Sequence, residues 1–71
     1  MATKQLADLG RRIGEARARA GKTVEQAAEE VDIPVARWQA FENGTEEPRA
    51  TELFLMAQAI DASLDWLLEK S

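Results

Sequence analysis

Val35, Ala36, Arg37, Gln39 and Ala40 sit in one short run between Pro34 and Asn43-Gly44. On a helix these positions offer two kinds of chemistry. Arg37 brings a planar cation and Gln39 a paired donor and acceptor, groups that recognise phosphates and base edges. Val35, Ala36 and Ala40 bring only methyl groups. Lys22, Thr23, Asn43 and Arg49 lie nearby in the chain, and each can hold an anionic oxygen by a hydrogen bond. The chain has no histidine and no cysteine. No Ser-His or Cys-His pair can therefore activate a nucleophile, and a zinc ion would have to rest on carboxylates alone. There is no glycine-rich phosphate loop, and 71 residues leave little room for a pocket. A binding module is expected rather than an enzyme, with no metal and no cofactor.

Short helices must position these side chains. Thr23 with Gln26 three residues later is a capping-box pattern that opens one helix. Ala27, Ala28 and Val31 form its inner face. Asp32-Ile33 makes a turn, Pro34 is tolerated in the first turn of the next helix, and Asn43-Gly44 ends it. Two short helices joined by a tight turn are a helix-turn-helix, whose second helix lies in the DNA major groove. This unit is expected over residues 23–43. Ahead of it, Leu6, Leu9, Ile13, Ala16 and Ala20 recur at three- and four-residue steps and predict a helix from Thr3 to Ala20, stopped by Gly21. After it, the loop Thr45-Glu46-Glu47-Pro48 leads to a helix over Ala50–Ile60, with Leu53, Met56, Ala57 and Ile60 inward. Ser63 caps a last helix from Leu64 to Glu69. Five helices with no repeat or linker predict one all-α domain over residues 1–71. The stretch MATKQLADLG has no apolar signal core, and no apolar run approaches membrane-spanning length. A cytoplasmic protein without a membrane partner is expected.

Bulk composition is less favourable to DNA. The net charge is −4. Residues 1–21 carry five basic and two acidic side chains, residues 22–49 three and seven, and residues 50–71 one and four. Nucleic-acid binders normally present a basic patch, because neutralising phosphates releases counterions. Here the segment that should meet DNA is acidic. The core is also thin, since thirteen residues are alanine. Its bulk must come from Leu6, Leu9, Ile13, Val31, Ile33, Trp38, Phe41, Leu53, Met56, Ile60, Leu64 and Leu67. Each contributes roughly 1.5–3 kcal/mol when fully buried.

Leu9-Gly10-x-x-Ile13-x-x-x-Arg17, Ala28, Trp38-x-x-Phe41-Glu42-Asn43-Gly44, Pro48, Leu53-x-x-Met56-Ala57-x-x-Ile60 and Leu64-Asp65-Trp66-Leu67-Leu68 follow one another at a familiar spacing. Together they resemble the Cro/C1-type (XRE-like) helix-turn-helix family of phage repressors, Cro proteins and restriction-modification controller proteins. The resemblance covers residues 9–68. It implies a compact five-helix, lambda-repressor-like DNA-binding domain. It also implies that Ala28 lets helices 2 and 3 cross closely, that Ile33 plugs the turn, and that Trp38 and Phe41 hold helix 3 to the core. Arg17 and Glu42 match the family's structural ion pair between helices 1 and 3. Val35, Ala36 and Ala40, flanked by Arg37 and Gln39, fall where the family reads bases. Lys22, Thr23, Arg37, Asn43 and Arg49 are the candidate phosphate contacts.

Three departures bear on function. Val24 stands where the family places a phosphate-clamping Gln, although the first amides of helix 2 remain available to a phosphate. Val35, Ala36 and Ala40 can touch only thymine methyls. Glu46-Glu47 replaces the basic loop that usually follows helix 3 and would repel phosphates. Phe54 and Leu55, with Trp66 and Leu68, are candidates for a dimer interface at the end through which Cro-type proteins pair. Such pairing sets half-sites near 34–36 Å apart. Two functions are therefore expected. The first is a small transcriptional regulator that binds double-stranded operator DNA as a homodimer through helix 3. The second is a helix-turn-helix that has lost base readout and serves as a protein-interaction module, with another protein as partner.

Overall fold

The computed structural model describes residues 3–69, with side chains from residue 5 onward. Residues 1–2 and 70–71 of the expected domain lie outside the described residues. The chain folds into α1 (Thr3–Arg19), α2 (Val24–Glu30), α3 (Val35–Asn43), α4 (Ala50–Ala59) and α5 (Leu64–Leu67), with no strand among the described residues.

One device ends the first four helices. A residue in the left-handed region follows each, at Gly21, Asp32, Gly44 and Asp61 (φ +74°, +59°, +75° and +56°). The next amide then reaches back five residues: Lys22 N–H to Arg17 O, Ile33 to Ala28, Thr45 to Ala40 and Ala62 to Ala57. This closure satisfies the carbonyls a helix end leaves open. Two of the four positions are Asp rather than Gly, the residue class next most tolerant of that conformation. Pro34 is extended (φ −56°, ψ 141°) and precedes α3 instead of entering its first turn. Its carbonyl accepts from the Trp38 amide at 3.0 Å, so it starts the ladder of α3 from outside.

Trp38, Phe41, Ile13, Met56, Ile60 and Leu67 form the fully buried centre, with Ala16, Ala27, Ala28, Ile33, Leu53 and Ala57 around them. Leu6, Leu9, Val31 and Leu64 are only half-buried, and Ala20 is exposed. The reason for Leu6 is where α1 crosses its neighbour. A β-carbon on Gly10 would lie 2.5 Å from the carbonyl oxygens of Phe41 and Glu42. One on Gly44 would lie 3.0 Å from Ala7 Cα. Helix α1 thus meets the last turn of α3 backbone to backbone at Ala7 and Gly10, and Leu6 falls at the edge of that crossing. Ala20 follows the end of α1 and lines an open groove with Trp66 and the end of α4. The short α5 is tied to α1 by Arg12, whose Nη1 donates to Leu67 O at 3.4 Å and also to Glu69 O. A cation on the last carbonyls of a helix opposes the negative end of its dipole.

Candidate nucleic-acid interface

The helical period divides α3 into an inward and an outward side. Trp38 and Phe41 point inward and are fully buried. The indole Nε1 of Trp38 donates to Glu42 Oε2 at 2.6 Å. Arg17 on α1 grips the same carboxylate, with Nε to Oε2 at 2.6 Å and Nη2 to Oε1 at 3.2 Å. Its remaining Nη1 donates to Lys22 O at 2.9 Å. The hydrogen bond to Glu42 raises the Arg17 pKa above its ordinary value against an opposing burial effect. The Arg17 and Glu42 side chains are only 20% and 15% exposed, so the pair works as a structural clasp. Gly14 leaves room for it: a β-carbon there would stand 3.1 Å from Glu42 Oε1.

Ala36, Gln39 and Asn43 form the exposed strip on the other side, with Val35 and Ala40 half-buried beside it. Val35 packs against the core. The side-chain amides of Gln39 and Asn43 make no hydrogen bond among the described residues.

Arg37 leaves this strip. Its Nε donates to Glu46 Oε2 at 2.7 Å, its Nη1 binds Glu52 Oε2, and its guanidinium stacks 5.0 Å over the Phe41 ring. Glu52 Oε1 accepts the Arg49 backbone N–H at 2.8 Å. That backbone bond first, and Arg37 after it, hold the Glu52 carboxyl below the usual carboxylate range. Hydrogen bonds to Glu46 and then Glu52 raise the Arg37 pKa. Arg37, expected over bases and phosphates, is instead a brace between α3, the following loop and α4. Glu46, expected to repel DNA as a free charge, is one of its two anchors.

A model of the helix-turn-helix domain family matches residues 8–68. The chain belongs to the helix-turn-helix domain family. No curated protein and no solved structure matches it significantly.

Within this helix-turn-helix, the other candidate contacts differ in availability. Lys22 is engaged: its Nζ donates to Glu30 Oε1 at 2.8 Å and to the Ala59 carbonyl at 2.5 Å, at the end of α4. Thr23 caps α2, with Oγ1 accepting from Gln26 N–H at 3.1 Å and its own N–H donating to Gln26 Oε1 at 2.9 Å. Val24 is half-buried against the core, which explains an apolar residue at that position. Arg49 and Asn43 are exposed. The basic N-terminal segment is largely committed elsewhere: Arg11 pairs with Asp8 and Glu15, and Arg19 lies 5.6 Å over the Trp66 ring. Phe54, Leu55 and Leu68 are exposed, while Trp66 is half-buried against the core.

Sequence reasoning missed three residues that shape the site. Glu52 had only half a signal: it stands at capping-box spacing and accepts the Arg49 N–H, but Arg49 is not a residue type that caps a helix. Gly10 was part of the motif that carries the resemblance but had no role assigned to it, and Arg12 had no signal, because its partners lie far along the chain. No helix among the described residues is long and apolar enough to cross a membrane, and none of them form a group able to hold a metal ion.

Proposed function

We propose that this helix-turn-helix protein is a small cytoplasmic transcriptional regulator of the Cro/C1 type that binds operator DNA as a homodimer through α3. One observation carries the reading. The outward strip Ala36–Gln39–Asn43 is exposed and unpartnered on a helix whose other side is anchored by Trp38, Phe41 and the Arg17 clasp. Val35 and Ala40 flank that strip. Arg49, Asn43 and the Thr23 hydroxyl supply phosphate contacts, and Lys22 and Arg37 contribute only by leaving their present partners. Each phosphate neutralised adds about −0.9 to the slope of log affinity against log salt. Arg49 is the one cation among these contacts, so a slope of about −1 per protomer is expected, shallow for the family's class of interface. Fluorescence anisotropy with duplexes from the protein's own promoter, between about 50 and 200 mM salt, tests this. Absence of binding at the low-salt end would overturn the proposal.

Phe54, Leu55 and Leu68, with the edge of Trp66, form the dimer contact in this reading. Leu55→Glu should yield a monomer by sedimentation equilibrium and lose palindromic binding while keeping its helical content.

A second reading has its own support. Arg37 is charge-compensated by Glu46 and Glu52, Glu47 is exposed, and Val24 is turned inward. Such a surface suits a basic protein partner in place of phosphates. The double variant Glu46→Lys with Glu47→Arg separates the two readings. DNA binding that appears only in the variant favours the protein partner, and specific binding by the parent eliminates it.

A further inference from the structure

Arg37 is the only cation in the α3 sequence VARWQAFEN, and it is bound to Glu46 and Glu52 and stacked on Phe41. Guanine is read in the major groove chiefly by Arg or Lys on its O6 and N7. With Arg37 folded back, α3 presents no such group. Its exposed strip offers one methyl, at Ala36, and two carboxamides, at Gln39 and Asn43. A carboxamide matches adenine, with its oxygen accepting from N6 and its nitrogen donating to N7, and a methyl matches the thymine C5-methyl. The N-terminal part of a recognition helix meets the base edges. Ala36 lies in the first turn of α3 and Gln39 at its middle, and Asn43 closes the helix at the far end. Three residues rise about 4.5 Å along the axis, close to the roughly 3.4 Å between stacked base pairs. Ala36 and Gln39 are thus spaced to reach neighbouring pairs where the axis of α3 follows the base stack.

We infer that α3 reads an A·T-restricted step, with adenine under Gln39 and a thymine methyl under Ala36 in the adjacent pair, and makes no guanine contact. The inference rests on the DNA-binding reading above and names the base class that reading leaves open. The clamp on Arg37 is what enforces it, because it removes the competing reader from the strip.

The test uses the full chain and a pool of duplexes with a randomised core, selected at about 50 mM salt and sequenced. Two adjacent A·T pairs should be enriched. On the enriched duplex, 7-deazaadenine at the adenine, which lacks N7, should weaken binding roughly 5- to 150-fold, the range of one bidentate contact. Gln39→Ala, which also gives up the bond to N6, should weaken it at least as much, and 7-deazaadenine should cost that variant nothing more. Uracil for the thymine should cost about 4-fold, the loss of one methyl contact. Gln39 is exposed, so its alanine variant keeps the fold, which circular dichroism verifies. Enrichment of guanine that disappears in Arg37→Ala would overturn the inference by showing that the arginine leaves its clamp to read. Binding without base preference would overturn it while leaving the DNA-binding reading intact. Binding to no duplex at all would overturn both.

Discussion

Arg17 and Arg37 each hold carboxylate oxygens beside α3, but from opposite sides and in different surroundings. Arg17 meets one carboxylate in fork geometry, and the same Glu42 also takes the indole N–H of the fully buried Trp38. Arg37 divides its donors between two carboxylates, and Glu46 is 43% exposed. The chemistry of the pairs is alike, and burial separates their consequences. Loss of a partner at the Arg17 site strands a guanidinium and an indole N–H that water reaches poorly. At the Arg37 site water replaces what is lost. The first pair fixes the angle of α3 on α1. The second mainly decides which charge the outward side of α3 displays.

Substitutions sharpen that contrast. Trp38→Ala removes the largest buried side chain together with a donor of the clasp. It should cost about 3–5 kcal/mol in urea unfolding, most of the stability of a domain this small. Glu42→Ala should cost about 1–3 kcal/mol, less than a fully sealed pair because a fifth of the site remains wetted. Arg37→Ala should shift the urea midpoint far less than Glu42→Ala. A loss as large as that of Glu42→Ala would erase the distinction between the two arginines. The smallest effect concerns pH. The folded Glu52 carboxyl is depressed, so its contribution is present above the ordinary carboxylate range and is lost as pH falls through the folded value. Glu52→Gln should therefore flatten the decline of the unfolding midpoint as pH falls below about 5. Parallel declines in parent and variant would remove Glu52 from the brace.

The helices were legible because their signals are local. The Thr23–Gln26 box, the Ser63 cap and the Gly44 stop each act within five residues, and the structure shows all three. The burial of Ile13 and Met56 follows from helical periodicity, and that of Trp38 and Phe41 is what the family resemblance implies. The candidate surface was less legible. Gln39, Asn43 and Ala36 are exposed on α3 as their spacing implies, but the partners of Arg37 and Lys22 were not foreseen. Lys22 reaches a carbonyl 37 residues away on α4, and no local pattern encodes that meeting.

What the sequence by itself determined is the set of helices, most of their caps and the centre of the stripe that turns inward, since these depend on neighbours a few residues apart. Only the tertiary structure decided which charges remain for a partner. Arg37 finds Glu46 nine residues on and Glu52 fifteen residues on, Arg17 finds Glu42 across 25, and Arg12 finds the carbonyl of Glu69 across 57. Gly10 lets α1 lie against the end of α3, and the loop after Gly44 brings the first turn of α4 within reach of Arg37. A cation's availability is a property of that assembled surface, where carboxylates compete for it, and not of its place in the chain.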